Sequence, residues 1–305
     1  MQKIIGRAVE FAVWPGCRSG PHFGGAAAPV RHRESLGMRD IRISALVTGA
    51  SSGIGAVYAD RLAARGHDLI LVARRRDRLE SLATRLRKDH GCRVEIHPAD
   101  LRDRDDLVRI EALVRERDDI GVLVNNAGLG AGAPSVSADP DTVETLVKVN
   151  VLALTLLCLA ATPRFAARDD GLIINIGSVS AVIPSATAAA YSASKAYVFT
   201  FSQSLQREFS KTKVKAQVVM PGPVRTEFFG DRPPSIPDEL FMSPETVVDI
   251  AFRALDQGEL MCWPTLHDLQ AWTAFDDARR ALSKAISQDA IPPVRYGLAV
   301  PGTAP

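Results

Sequence analysis

From residue 41 onward, short apolar runs alternate with longer stretches of helical periodicity, and this alternation restricts the possible folds more than any other feature. The apolar runs are continuous, which is typical of strands covered on both faces in a parallel sheet. Strands separated by helices imply right-handed crossovers. The sequence therefore predicts a doubly wound α/β fold, in which ligands bind beyond the carboxyl ends of the strands.

The predicted strands cover residues 43–47, 68–73, 93–99, 120–126, 171–178 and 214–222, with "ELMCWP" at 259–264 as a seventh. The predicted helices cover residues 54–65, 76–88, 104–117, 141–167, 189–210, 244–256 and 265–287. We expect one domain over residues 41–290, with a substrate lid at about 224–242. Residues 1–40 and 291–305, rich in Gly and Pro, predict a disordered extension and a loose tail. Met38 leaves open that the natural start lies there.

Composition excludes several classes of function. The net charge of +2 favours neither nucleic acid nor an anionic membrane as a partner. The longest apolar run, residues 151–161, is too short to span a bilayer comfortably, so it predicts a buried helix. The four cysteines are far apart and the histidines are scattered, so we expect reduced thiols, a cytoplasmic protein and no metal site.

The stretch "TGASSGIG" (48–55) lies between the first strand and the first helix. Gly49, Gly53 and Gly55 allow close backbone approach, and free N–H groups at the helix start can bind an anion. This predicts a phosphate-binding turn, although a glycine-rich turn can also be purely structural.

The second strand ends in "ARRRDR", where an acidic residue would bind a ribose 2′-hydroxyl. Arg74 or Arg75 can instead pair with a 2′-phosphate. This favours NADP over NAD, the alternative being a solvated arginine-rich helix start.

Ser178 follows the fifth strand, and "YSASK" places Tyr191 and Lys195 four residues apart on one helix face. A neighbouring ammonium is expected to lower the pKa of the phenol toward neutrality. Taken alone, the pair would more readily indicate an ordinary amphipathic helix.

The motifs "TGASSGIG", "NNAG", Asn150, Ser178, "YSASK" and "PGPVRT" follow in that order. Over residues 41–226 the chain resembles the short-chain dehydrogenase/reductase family, in its single-domain branch. The resemblance implies a Rossmann fold with a parallel seven-stranded sheet flanked by helices on both faces. It also implies a catalytic group made up of Asn150, Ser178, Tyr191 and Lys195.

The resemblance further implies which residues bind NADP. They are Gly49, Ser51, Ser52, Gly53, Ile54, Gly55, Arg74, Arg75, Asp100, Leu101, Asn126, Ala127, Gly128, Tyr191, Lys195, Pro221, Gly222, Val224 and Thr226. Tyr191 is implied to protonate the alkoxide, Ser178 to stabilise it, and Asn150 to hold a water that relays protons to Lys195.

The implied activity is hydride transfer between a nicotinamide and a carbonyl or secondary alcohol. An apolar or acyl-type substrate is expected, because large apolar side chains near the lid can line a pocket. They can instead pack on the body of the protein or on a partner. These are Phe228, Phe229, Phe241, Met242 and Trp263. A cofactor-binding regulator of the same fold is the alternative. In the family that the chain resembles, helices equivalent to the two apolar ones pack across a dimer axis, which implies a homodimer or homotetramer. The alternative is burial of these helices under the C-terminal segment.

Overall fold

The computed structural model describes residues 42–130, 133–230, 236–286 and 293–297. The predictions for residues 1–40, and for most of the tail at 291–305, lie outside these residues. The same holds for residues 231–235 of the expected lid.

Seven parallel strands form one sheet in the order β3-β2-β1-β4-β5-β6-β7. The strands are β1 Ser44–Thr48, β2 Asp68–Ala73, β3 Val94–Pro98, β4 Ile120–Asn125, β5 Leu172–Ile176, β6 Lys215–Val219 and β7 Met261–Cys262. The central strands β1, β2 and β4 are buried throughout, as their continuous apolar runs predict. The predicted doubly wound Rossmann fold is confirmed.

Helices cover both faces of the sheet. They are α1 Gly53–Ala64, α2 Arg76–His90, α3 Arg104–Glu116, α4 Pro140–Val147, α5 Leu154–Arg168, α6 Ala189–Glu208, α7 Pro244–Asp256 and α8 Leu269–Ile286. One apolar core lies under α1, α2 and α7. The other lies under α3, α5 and α6, with Trp272 of α8 packed against it. Both faces are therefore closed to solvent, and ligand access is left to the edge where the strands end.

The helix predicted at 141–167 is not regular. A π-helical turn, Lys148–Ala153, joins α4 to α5 and carries Asn150. Hydrophobic periodicity cannot reveal such a turn, because one extra residue in a single turn hardly changes the pattern.

By length and composition, the combined helix Pro140–Arg168 could cross a membrane. Half of its most apolar window is buried inside the fold, and Leu154, Leu157 and Phe165 pack in the second core. Burial against the sheet thus explains the inner half of its apolar surface.

Candidate active site

A cavity of about 640 Å³ opens at the carboxyl ends of the strands. The predicted residues in its walls are Gly49, Ser51, Ser52, Gly53, Ile54, Arg74, Arg75, Asp100, Leu101, Asn126, Ala127, Gly128, Ser178, Tyr191, Lys195, Pro221, Gly222, Val224 and Thr226. Gly55 and Asn150 lie behind the wall. One cavity thus brings together residues from motifs that are up to 177 positions apart, Gly49 to Thr226.

The glycine-rich turn is built for close backbone approach. Gly49 has φ +65°, and a Cβ there would lie 2.9 Å from the Ala127 Cα. A Cβ at Gly55 would lie 2.4 Å from the Gly49 carbonyl oxygen. Gly55 therefore packs the turn against the start of α1, although it does not face the cavity.

The N-terminus of α1 opens on the cavity wall without a side-chain cap. Ser52 is the N-cap residue, but its side chain caps none of the helix N–H groups. Its hydroxyl accepts a hydrogen bond from Arg75 Nη2 at 2.9 Å instead. The first N–H groups of the helix are thus available to an anion in the cavity.

Two arginines follow β2 at the edge of the cavity. Arg75 is half-buried and donates from Nη2 to the Ser51 hydroxyl at 3.0 Å, whereas Arg74 is exposed. Arg76 lies outside the lining and approaches Glu80 at 3.6 Å. A guanidinium and two hydroxyls therefore converge where the sequence predicted recognition of a 2′-phosphate.

The loop after β3 contributes Asp100 and Arg102 to the cavity wall. Arg102 Nη2 donates to the Asp100 carboxylate at 2.5 Å and, with Arg74 nearby, holds the pKa of Asp100 below its ordinary value. Asp100 is thus a carboxylate at neutral pH. Sequence reasoning missed Arg102, because nothing in the spacing distinguishes it from the other arginines at 104, 109 and 115 that follow it.

Tyr191 and Lys195 lie one turn apart on α6, with the Lys195 ammonium 5.8 Å from the centre of the Tyr191 ring. Lys195 is buried and donates to the Ile176 carbonyl oxygen at 2.8 Å. Burial lowers its pKa to about 8.

The expected acidification of Tyr191 by this ammonium is wrong for this structure. Burial raises the pKa of Tyr191, and a hydrogen bond with Ser178 opposes that rise only partly. The reason is that Tyr191 is almost fully enclosed by protein, and a phenolate there would lose its contact with water. At neutral pH the phenol is therefore protonated and can donate its proton.

Asn150 lies in the π-helical turn and links the loop at Leu129 to α6 by hydrogen bonds. Its amide accepts from the Leu129 N–H at 2.8 Å and donates to the Leu129 carbonyl at 2.9 Å. Its Nδ2 also donates to the Ser194 hydroxyl at 3.1 Å. Only Oδ1 keeps a lone pair, and this oxygen and the Lys195 ammonium both flank Gly128. The predicted water relay therefore has a single acceptor to use on Asn150.

Of the large apolar residues near the expected lid, some line the cavity and others pack on the body of the protein. Phe228 and Phe229 line the cavity, and the Phe228 ring lies 5.9 Å from that of Tyr191. Phe241 packs on Phe229 at 5.7 Å outside the lining, and Met242 packs against the first core. Trp263 packs with Phe199 in the second core, so it is a structural residue.

The residues present fit a dinucleotide. Arginines and an acidic residue follow β2 and β3, whereas Ser178 follows β5, on the other side of the central strands β1 and β4. At about 4.8 Å between neighbouring strands, β2 and β5 lie roughly 14 Å apart, which leaves room for two linked nucleotides. In the described part of the chain, no three His, Cys, Asp or Glu side chains converge as metal ligands, and the absence of a metal stays a prediction.

The family model for short chain dehydrogenases matches residues 44–236. The chain belongs to this family. A short-chain dehydrogenase from Sphingobium yanoikuyae, solved in complex with NADPH, is 41% identical with a TM-score of 0.80, and the match covers 83% of this chain and 100% of that one.

Two further relatives are named for the substrates on which they act. The bulky-bulky ketone specific alcohol dehydrogenase from Comamonas testosteroni is 37% identical with a TM-score of 0.77, over 83% of this chain and 98% of that one. The very-long-chain 3-oxoacyl-CoA reductase of Anas platyrhynchos is 34% identical over 212 residues, 68% of this chain and 67% of that protein. The chain is thus an oxidoreductase of the short-chain dehydrogenase family, which acts on carbonyls and alcohols.

Proposed function

We propose that this chain is an NADPH-dependent reductase of bulky, apolar ketones or acyl-type carbonyl compounds. The observation that carries the proposal is the convergence of Tyr191, Ser178 and Lys195 in the cavity that Arg75 borders at its other end. Bulky ketones and 3-oxoacyl thioesters are named for the Comamonas and Anas relatives, and NADPH is bound in the Sphingobium one. The regulator alternative is not favoured, because all three reactive side chains are present in the cavity.

Protein groups would hold the two ends of NADPH. Arg75, Ser51 and Ser52 bind the 2′-phosphate, and the N-terminus of α1 binds the pyrophosphate. Gly128, Pro221 and the loop to Thr226 bind the nicotinamide half. The bound nicotinamide supplies a hydride to the carbonyl carbon of the substrate.

Tyr191 donates its phenol proton to the carbonyl oxygen as negative charge develops there. An alkoxide is a stronger base than a phenolate, so the transfer is downhill even with the raised pKa of Tyr191. The Ser178 hydroxyl donates a hydrogen bond to the same oxygen. A protonated phenol supports reduction as the direction at neutral pH, since oxidation would need a base.

Phe228 and Phe229 form the apolar wall beside Tyr191. The Phe228 ring packs close to Gly130, where a Cβ would lie 3.0 Å from the ring carbons. We propose that residues 224–242 act as a substrate lid whose aromatic turn, Glu227–Phe229, contacts the substrate body. Apolar contact with this wall is the reason to expect bulky substrates.

A panel of ketones, aldehydes and 3-oxoacyl thioesters, followed by loss of NADPH absorbance, tests the proposal. Tyr191→Phe should lower kcat at least about 100-fold on the best substrate. Tyr197→Phe is the matched control, because Tyr197 is on the same helix but exposed, with its hydroxyl 2.8 Å from that of Thr155. Unchanged turnover in Tyr191→Phe would refute the assignment.

We further infer a homodimer through the outer face of α4, the π-turn and α5. Val147, Leu152 and Leu159 are 44%, 43% and 56% exposed there. Light scattering on Leu159→Glu should show monomers where the unchanged protein shows dimers.

We also propose a reducing, cytoplasmic location for the protein. Cys92, Cys158 and Cys262 are buried free thiols, which supports this location. Cell fractionation checks it.

A further inference from the structure

The Arg75 guanidinium is already bound by an acidic residue from the expected lid. While Nη2 donates to the hydroxyls of Ser51 and Ser52, Nη1 donates to Glu227 Oε2 at 2.7 Å. Glu227 begins the 3₁₀ turn Glu227–Phe229, 152 positions farther along the chain. The contact therefore joins the 2′-phosphate end of the cavity to the lid.

The second oxygen of Glu227 is also engaged by an arginine. Arg78 of α2 donates to Oε1 at 2.5 Å, so one carboxylate bridges two guanidinium groups. Hydrogen bonds from Arg75 and Arg78 hold the pKa of Glu227 below its ordinary value. The two carboxylate oxygens of Glu227 are thus each bound by a different guanidinium, as the oxygens of a phosphate are when arginines bind it.

We propose that Glu227 competes with the 2′-phosphate of NADPH for Arg75, and thereby sets how strongly the protein prefers NADPH over NADH. This rests on the proposed NADPH-dependent function. A phosphate carries more charge than a carboxylate and has three acceptor oxygens, so it displaces Glu227 at the cost of these ion pairs. NADH lacks the phosphate and leaves Glu227 in place, where its carboxylate can accept from a ribose hydroxyl.

The expected change in NADPH affinity follows from how exposed the ion pairs of Glu227 are. The side chains of Arg75 and Glu227 are 39% and 51% exposed. An exposed ion pair shifts an equilibrium by roughly two- to threefold, and two such pairs are lost when Glu227 leaves. Removing the charge from Glu227 should therefore lower the Kd for NADPH by about three- to tenfold.

The test is calorimetric titration of the full chain and of Glu227→Gln with NADPH, NADH and adenosine 2′,5′-bisphosphate. The bisphosphate lacks the nicotinamide, so its Kd measures binding at the 2′-phosphate site without any turnover. The control is Glu80→Gln, since Glu80 is 57% exposed and pairs with Arg76 rather than Arg75. It removes the same charge from the same arginine cluster.

In Glu227→Gln, we expect the Kd of NADPH and of the bisphosphate to fall three- to tenfold. The Kd of NADH should stay within twofold or rise, and Glu80→Gln should change every Kd less than twofold. An unchanged or weaker NADPH affinity in Glu227→Gln, or equal tightening in Glu80→Gln, would overturn the role of Glu227 and leave the proposed reductase intact. Failure of the unchanged protein to bind NADPH and the bisphosphate would overturn both.

Discussion

Replacing Lys195 with methionine should stabilise the protein while abolishing its activity. Lys195 is 6% exposed, and burial lowers its pKa from 10.5 to about 8. At about 1.36 kcal/mol per pH unit, that difference means that the buried ammonium costs about 3 kcal/mol at neutral pH. Methionine has a similar length and no charge, so it removes this cost.

Part of the gain is offset by a lost hydrogen bond. The Ile176 carbonyl oxygen accepts from the Lys195 ammonium at 2.8 Å and would lose this partner. A lost hydrogen bond with a charged donor costs about 1.5–3 kcal/mol. The Lys195→Met variant should thus be more stable than the unchanged protein by about 1 kcal/mol at pH 7.

The pH dependence distinguishes this explanation from simple repacking. The unfolded chain binds the Lys195 proton more tightly than the folded one, so the penalty is fully present below pH 8 and is lost as the pH rises toward 10.5. Between pH 7 and pH 10, the free energy of unfolding of the unchanged protein should rise by about 2 kcal/mol relative to that of Lys195→Met. The stability order of the two proteins should then reverse.

Urea unfolding at pH 7 and pH 10 measures both values, with the exposed Lys211→Met as the matched control. A Lys195→Met variant that is clearly less stable at pH 7, or whose stability difference is the same at both pH values, would refute the reasoning. NADPH oxidation by the same samples should be lost only in Lys195→Met.

Three further changes have defined outcomes. Gly55→Ala should weaken NADPH binding more than about tenfold in titrations, because its Cβ would lie 2.4 Å from the Gly49 carbonyl oxygen and displace the turn. Phe228→Ala should raise KM for bulky ketones about fivefold and leave the Kd of NADPH within twofold, since its ring faces the substrate side. Ser202→Ala should lower the free energy of unfolding by about 1–3 kcal/mol in urea, because the buried Asn175 amide loses a 3.0 Å partner.

Each of these outcomes can be contradicted directly. Unchanged NADPH affinity in Gly55→Ala would mean that the turn tolerates a methyl group. An unchanged KM in Phe228→Ala, equal to that of the exposed control Phe275→Ala, would remove Phe228 from the substrate wall. Unchanged stability in Ser202→Ala would mean that Asn175 finds another partner.

Much of the fold is readable from the sequence because buried parallel strands leave long apolar runs. The strand predicted at 68–73 is found at Asp68–Ala73, and the short "ELMCWP" run contains the last strand, Met261–Cys262. The motifs along the chain also predict which residues meet, since "TGASSGIG", "NNAG", Ser178 and "PGPVRT" each come at the end of a strand and all the strands end at one edge.

The rest depends on contacts that no local pattern encodes. Burial in the folded protein raises the pKa of Tyr191, so helical spacing alone misjudged the effect of Lys195 on it. Glu227 meets Arg75 across 152 positions, and its neighbours in the sequence give no sign of that contact. The π-helical turn around Asn150 adds one residue within an apolar helix, and the hydrophobic periodicity of the sequence does not reveal it.

The most direct test of the central claim is a crystal structure of the protein with NADP⁺ and a ketone bound together. The account predicts that the ketone oxygen lies within about 3 Å of both the Tyr191 and the Ser178 hydroxyls, with the 2′-phosphate on Arg75. A ketone oxygen that contacts neither hydroxyl, or a nicotinamide ring far from Tyr191, would contradict it.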